Sequence, residues 1–216
     1  MTTEQVKQIK FFAFEALRRD AGVCIACGLC QTRTKVVFGV GNPNSPLMLI
    51  GEGPGANEDA TGEPFVGRAG KLLDQCLYEA GMKRHHIYIT NIVKCRASEI
   101  EKGRIKNRAP THEEIDTCVP LWLEKQIEIM QPLVIVCIGS PSASTVIQKN
   151  FRIMADRGKF LESKYCRNTI AALHPAFILR QEGERYVSTR QTLIDDLKAA
   201  KDKAIAARSE AKLTLF

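Results

Sequence analysis

The chain has 216 residues, 44% of them hydrophobic and 25% charged, with 31 Lys+Arg against 24 Asp+Glu and a formal net charge of +7. Such a chain is long enough for one domain with a sizeable core, and its composition excludes extensive disorder. No apolar run approaches the roughly 20 residues that cross a bilayer, MTTEQVKQIK lacks the apolar stretch of a secretory signal, and the basic balance favours a polyanionic partner such as nucleic acid over membrane.

A helix is predicted over residues 3–19, where Val6, Ile9, Phe12, Phe14, Ala16 and Leu17 recur at helical spacing among charges. It stops before Ala21-Gly22, where VCIACGLC begins. Continuous aliphatic runs follow at Leu47 to Ile50, Ile87 to Thr90, Leu133 to Ile138 and Thr169 to Leu173, each closed by Gly, Asn or His-Pro. Runs of this kind suit strands buried on both faces. Helical patterns lie between and after them at about 68–80, 112–130, 141–148 and 188–207. The alternation implies an α/β fold, a three-layer α/β/α arrangement around a mainly parallel four-stranded sheet. Residues 1–207 are read as one domain and 208–216 as a flexible tail. In such sheets ligands bind outside the carboxyl ends of the strands, which gathers the Gly-rich stretch 51–70, Asn91, Gly139 and His174 at one crevice.

Eight cysteines in a chain expected to be cytoplasmic, at the nucleoid in a prokaryote, point away from structural disulfides. Cys24-x-x-Cys27 has a ligand spacing that Cys30 extends, while Cys95 and Cys118 have polar or basic neighbours. Cys76 falls on an amphipathic helix and Cys137 in an apolar strand, where each reads as a small buried hydrophobe. Four thiolates hold either zinc or an iron-sulfur cluster, and spacing alone leaves that choice open.

GEGPGANEDATGEPFVGRAG, ITNIVKCR, NRAP and LHPAFILR, in that order from Cys24 to Arg180 with the cysteines, resemble the motifs of the family 4, heat-stable-type uracil-DNA glycosylases, which carry a 4Fe-4S cluster. The resemblance implies a uracil-DNA glycosylase-like fold and excision of uracil from single- and double-stranded DNA by a monomeric, monofunctional enzyme. It puts the cluster ligands at Cys24, Cys27, Cys95 and Cys118 and leaves Cys30 as a neighbour.

Excision builds positive charge on the sugar and negative charge on the departing base, and the base must first be flipped into a pocket. By the resemblance Phe65 stacks on the flipped uracil and His174 donates to the uracil oxygen that gains charge. Asn91 supplies a carboxamide that both donates and accepts, matching the edge of uracil rather than cytosine. Glu52 and Glu58 are the carboxylates for the sugar and the attacking water, with their division of labour open. Gly53 belongs to a turn that lets DNA approach closely. Arg68, Lys71, Lys94, Arg96, Lys106, Arg108 and Arg180 are candidates to grip phosphates.

The chain departs from the family pattern between KCR and NRAP, where ASEIEKGRIK is inserted. A longer basic loop here is similar to that of an offshoot whose loop histidine bonds covalently to the abasic sugar; the aligned position is Asn107, while His112 is expected to be solvated in the next helix. Covalent trapping is therefore one rival function, and a non-enzymatic iron-sulfur or zinc nucleic-acid-binding module is another. Finally, Lys212, Leu213, Thr214, Leu215 and Phe216 resemble the short peptide by which bacterial repair proteins dock on the sliding clamp.

Overall fold

The computed structural model describes residues 3–213. The four expected strands are β2 (Leu47–Gly51), β3 (Tyr88–Asn91), β6 (Val134–Ile138) and β8 (Thr169–Ala172), all mutually parallel in the order β3-β2-β6-β8. Two short antiparallel edge strands, β1 (Val40–Gly41) beside β3 and β7 (Phe160–Leu161) beside β8, widen the expected four-stranded sheet to six. Each is two residues long, too short to leave an apolar period in the sequence.

The central strands are buried throughout, and alternate side chains serve opposite layers. Met48, Ile50, Ile135 and Cys137 pack with Phe14 and Leu17 of α1 (Thr3–Gly22), with Leu123, with Ile127 of α5 (Glu124–Met130) and with Val146 of α6 (Ser140–Val146). Leu47, Leu49, Val134, Val136 and Ile138 pack instead with Leu73 and Leu77 of α3 (Arg68–Glu79) and with Leu193 and Leu197 of α9 (Gly183–Leu213). Cys137 and Cys76 are fully buried in these two layers, as small hydrophobes.

The single helix expected over 112–130 is divided. α4 (His112–Cys118) passes through a π-helical turn, Val119–Leu123, before α5 resumes. Pro120 has no N–H to give the regular ladder, and a widened turn absorbs the defect. The inserted segment is a hairpin of β4 (Ser98–Glu101) and β5 (Arg104–Asn107), turned by Lys102 and Gly103, both at positive φ. α9 runs to Leu213, past the domain boundary expected at Ala207. Of the clamp-like peptide, Thr214 to Phe216 lie outside the described residues.

Candidate active site and thiol centre

The loop after β2 is an ordered scaffold, not the flexible loop its glycines suggest. It contains α2 (Ala56–Thr61) and, with the ends of β3 and β8 and the foot of the hairpin, encloses an open cleft of about 440 Å3. Glu52, Gly53, Glu58, Phe65, Asn91, Asn107 and His174 all line it. Arg180 does not; it is exposed just beyond α8 (Pro175–Ile178), close enough for its charge to act on His174.

Close backbone approach explains the glycines. A Cβ on Gly51 would stand 2.4 Å from Asn91 Oδ1 and 2.5 Å from the Phe65 ring, so the carboxamide and the ring both rest against that bare Cα. Phe65 itself has φ 54°, a left-handed conformation that costs a bulky residue of order 1 kcal/mol or more. Glu58 holds it there. One carboxylate oxygen accepts from Val66 N at 2.9 Å and Gly67 N at 2.8 Å, the other from Gly55 N at 3.1 Å. With three amides on it, this carboxylate is a clamp on the loop. Three of its lone-pair sites are taken by backbone amides, so Glu58 is the less available of the two candidate carboxylates.

Asp59 is likewise structural, buried and accepting from Thr34 N at 2.9 Å. Glu52 is different. Its backbone carbonyl accepts from Val93 N at 3.2 Å, but its carboxylate makes no hydrogen bond among the described residues, and burial raises its pKa above the usual carboxylate range. Gly53 lies against Val93 Cγ2, where a Cβ would come within 2.8 Å.

His174 caps α8: its Nδ1 accepts from Ala176 N at 3.0 Å. An accepting Nδ1 carries no proton, so the neutral ring bears its proton on Nε2. Burial first, then the charge of Arg180, push its pKa down to about 4, against the opposing pull of Glu58. The ring stands 5.9 Å from that of Phe65. Asn91 is buried at the end of β3, paired in register with Gly51.

Several candidate phosphate contacts are already occupied. Lys94 is fully buried, its ammonium donating at 2.7 Å to Thr90 Oγ1, Asn91 O and Gln126 Oε1, and burial lowers its pKa to about 7. It braces the strand that carries Asn91 and cannot reach DNA. Arg108 makes a two-pronged ion pair with Glu114 at 2.6 and 2.8 Å. Arg68, Lys71 and Arg180 remain exposed, and Lys106 is paired with Glu101. Asn107 lines the cleft with its Oδ1 held by Arg96 Nε at 2.7 Å, whereas His112 is exposed at the start of α4.

Beside the cleft, Cys24, Cys27, Cys30, Cys95 and Cys118 line one void. Arg33 Nη1 donates to Cys95 Sγ at 3.5 Å and Lys94 N to Cys118 Sγ at 3.3 Å. Burial raises the pKa of Cys27 and Cys118 and pushes Cys95 up to about 12. Among the described residues no three such side chains converge as a single metal ion would require. Cys166 lies elsewhere, its Sγ 3.4 Å from the carbonyl of Leu133.

The family model of the uracil-DNA glycosylase superfamily matches residues 38–198, the stretch that carries the sheet and the cleft. The chain is 40% identical over 179 residues to the type-4 uracil-DNA glycosylase of Thermotoga maritima, spanning 82% of this chain and 88% of that one. It is 38% identical over 201 residues to the type-4 enzyme of Sulfurisphaera tokodaii (89% and 86% covered) and 39% identical over 168 residues to that of Archaeoglobus fulgidus (74% and 80% covered). The chain belongs to the type-4 uracil-DNA glycosylases.

Proposed function

We propose that the protein is a monofunctional glycosylase that flips uracil out of single- or double-stranded DNA and hydrolyses its N-glycosidic bond, leaving an abasic site for base excision repair. The observation that carries this reading is the convergence of Glu52, Phe65, Asn91 and His174 on one cleft at the carboxyl ends of the parallel strands. The uracil ring stacks on Phe65. The Asn91 carboxamide donates to O4 and accepts from N3–H, a pattern that cytosine reverses. As the C1′–N1 bond breaks, its electron pair moves into the uracil ring and charge grows on O2, where the neutral His174 donates through Nε2–H. Water adds to C1′ and its proton passes to Glu52, the carboxylate left free by the geometry. Arg68, Lys71 and Arg180 supply positive charge around the mouth for the DNA phosphates.

Cys24, Cys27, Cys95 and Cys118 are the residues that would hold a 4Fe-4S cluster, supported by five thiols around one void and two N–H donors aimed at sulfur. Such a cluster supplies structure near the DNA face, since hydrolysis moves no electrons. Covalent trapping is disfavoured because a carboxamide, Asn107, stands where a nucleophile would be needed. The decisive experiment incubates the protein with a uracil-containing oligonucleotide and resolves it on a denaturing gel. Alkali-labile abasic product with no protein-linked band is expected; a protein-linked band, or intact uracil, overturns the reading.

The protein acts as a cytoplasmic monomer, and Lys212 to Phe216 dock it on the sliding clamp. Deleting residues 212–216 abolishes clamp binding while leaving excision from short oligonucleotides intact; equal clamp binding by the truncated protein eliminates that contact.

A further inference from the structure

The inserted hairpin has two unlike faces. Cross-strand pairing sets Ser98 opposite Asn107, Glu99 opposite Lys106, Ile100 opposite Ile105, and Glu101 opposite Arg104. Side chains alternate across a strand, so Glu99, Glu101, Arg104 and Lys106 share one face, where Lys106 and Glu101 already form an ion pair. Ile100, Ile105 and Asn107 share the other, and that face runs into the cleft, because Asn107 lines it.

Both feet of the hairpin stand in the cleft wall, at Ala97 and at Asn107. Beyond them the two isoleucines are left in solvent, 78% and 64% exposed. A two-stranded ribbon of this size is marginal by itself, and a pair of bare isoleucines at its end contributes little to its own fold. Ile105 lies two residues beyond Asn107, about 7 Å at the rise of a strand. That is about two base-pair steps, the scale on which a group at the pocket mouth meets the stack that a flipped nucleotide has left. Around the pair are Arg96, Lys102, Arg104 and Lys106 against two acidic residues, Glu99 and Glu101, with Arg108 balanced by Glu114. The occupant this face fits is polyanionic outside and apolar within, as a DNA duplex is.

We propose that Ile100 and Ile105 enter the duplex beside the extruded uracil nucleotide and fill the space it vacates, so that the insert is a wedge for double-stranded substrate. The inference rests on the uracil-excision reading. Apolar side chains inserted between base steps offset unstacking that costs a few kcal/mol per step. A single strand has no stack to open and gains nothing from them.

The test compares wild type with I100T/I105T, which keeps β-branching and hence the hairpin while removing the apolar pair, and with Ile100→Ala, on the same uracil-containing strand alone or annealed. Single-turnover excision from duplex is expected to fall about tenfold or more in the double variant, a loss of about 1.4 kcal/mol or more, while excision from the single strand stays within about twofold. In parallel, 2-aminopurine placed beside the uracil should brighten less when the double variant binds than when wild type does. An unchanged ratio of duplex to single-strand rates overturns the wedge, and so does an equal fall on both substrates. Wild type that excises from neither substrate sinks the functional reading instead, so the two failures are distinguishable.

Discussion

The cleft and the thiol void are built from one stretch of chain and are stabilised in opposite ways. Residues 88–96 send Asn91 into the cleft and Cys95 into the void, with the buried Lys94 between them tying the carbonyl of Asn91 to Gln126. In the cleft the chain satisfies itself: Glu58 holds three amides, His174 takes one from Ala176, and the Phe65 ring and the Asn91 carboxamide rest on Gly51. Its shape exists before substrate arrives. In the void the sulfurs of Cys95 and Cys118 have one N–H donor each, from Arg33 and Lys94, and the surrounding thiols present no mutual bonds. The difference teaches where damage should register. Changes to the groups that face the cleft without bracing its backbone should alter rate with little effect on fold, and changes in the void should alter fold and take rate with it.

The largest effect is expected in the void. Replacing Cys24, Cys27, Cys95 or Cys118 by alanine removes a proposed ligand, and the binding free energy of a structural metal group is folding free energy. Each variant should lose metal and soluble yield, whereas Cys76→Ala and Cys137→Ala, in the two core layers, should keep the metal. Iron and sulfide analysis of anaerobically prepared protein checks this, with about four irons expected in wild type. Stoichiometric zinc without iron would give the void a different occupant.

Next come the cleft variants, which should separate rate from fold. His174→Ala and Asn91→Ala each remove one contact proposed for the transition state and should slow single-turnover excision roughly a hundredfold or more. Iron content and thermal midpoint should stay near wild type. If instead the metal is lost with either change, the two regions are one cooperative unit and the contrast drawn above fails.

The two carboxylates provide a finer contrast. Glu52→Gln, without the proposed base, should lose about a hundredfold in rate with little change in stability. Glu58→Gln should chiefly lower stability, because an amide nitrogen cannot accept from Gly55 N and leaving that clamp half made costs of order 1–3 kcal/mol, with rate falling only as far as the Phe65 platform loosens. The pH profile carries the same information. Burial raises the pKa of Glu52, so the active carboxylate is lost as pH falls through a value above the usual carboxylate range, while His174 stays neutral down to about 4. The acid limb of the wild-type rate therefore belongs to Glu52 and should vanish in Glu52→Gln. A limb that persists unmoved in that variant assigns the proton elsewhere.

Much of this was legible in the sequence because burial on both faces leaves continuous aliphatic runs. Leu47 to Ile50, Ile87 to Thr90, Leu133 to Ile138 and Thr169 to Leu173 mark the parallel strands within one residue, and the polar residues ending them fall at the cleft. The hairpin is missed for the opposite reason. SEIEKGRIKN alternates with period two about a Lys-Gly turn, but its apolar pair meets no core, so it reads as a basic loop. Lys94 sits in the run Lys-Cys-Arg and looks like a phosphate contact; only the fold shows that the bend after β3 turns it inward onto Gln126. The clamp of Glu58 on Val66 and Gly67 spans eight and nine residues, a separation with no periodic signature.

The smallest effect is expected at Cys30, and it decides how the void is read. Cys30 lies in a short 3-10 helix, Gly28–Gln31, whose first turn is closed by Cys30 N donating to Cys27 O at 3.2 Å. It lines the same void as the other four sulfurs, so proximity does not set it apart. A cluster of the 4Fe-4S type needs four thiolates, and the four drawn from separate places, Cys24 and Cys27 after α1, Cys95 after β3 and Cys118 at the π-helical turn, tie three parts of the chain together. Cys30 adds no further part. Its bond to Cys27 is made by backbone and survives truncation, so Cys30→Ala should keep full iron and excise uracil at close to the wild-type rate, with a stability change of about 0.5 kcal/mol or less, as for substitutions outside special features. Should Cys30→Ala lose its iron while Cys24→Ala keeps it, the ligand pair shifts to Cys27 and Cys30, and the end of α1 is no longer anchored through the void.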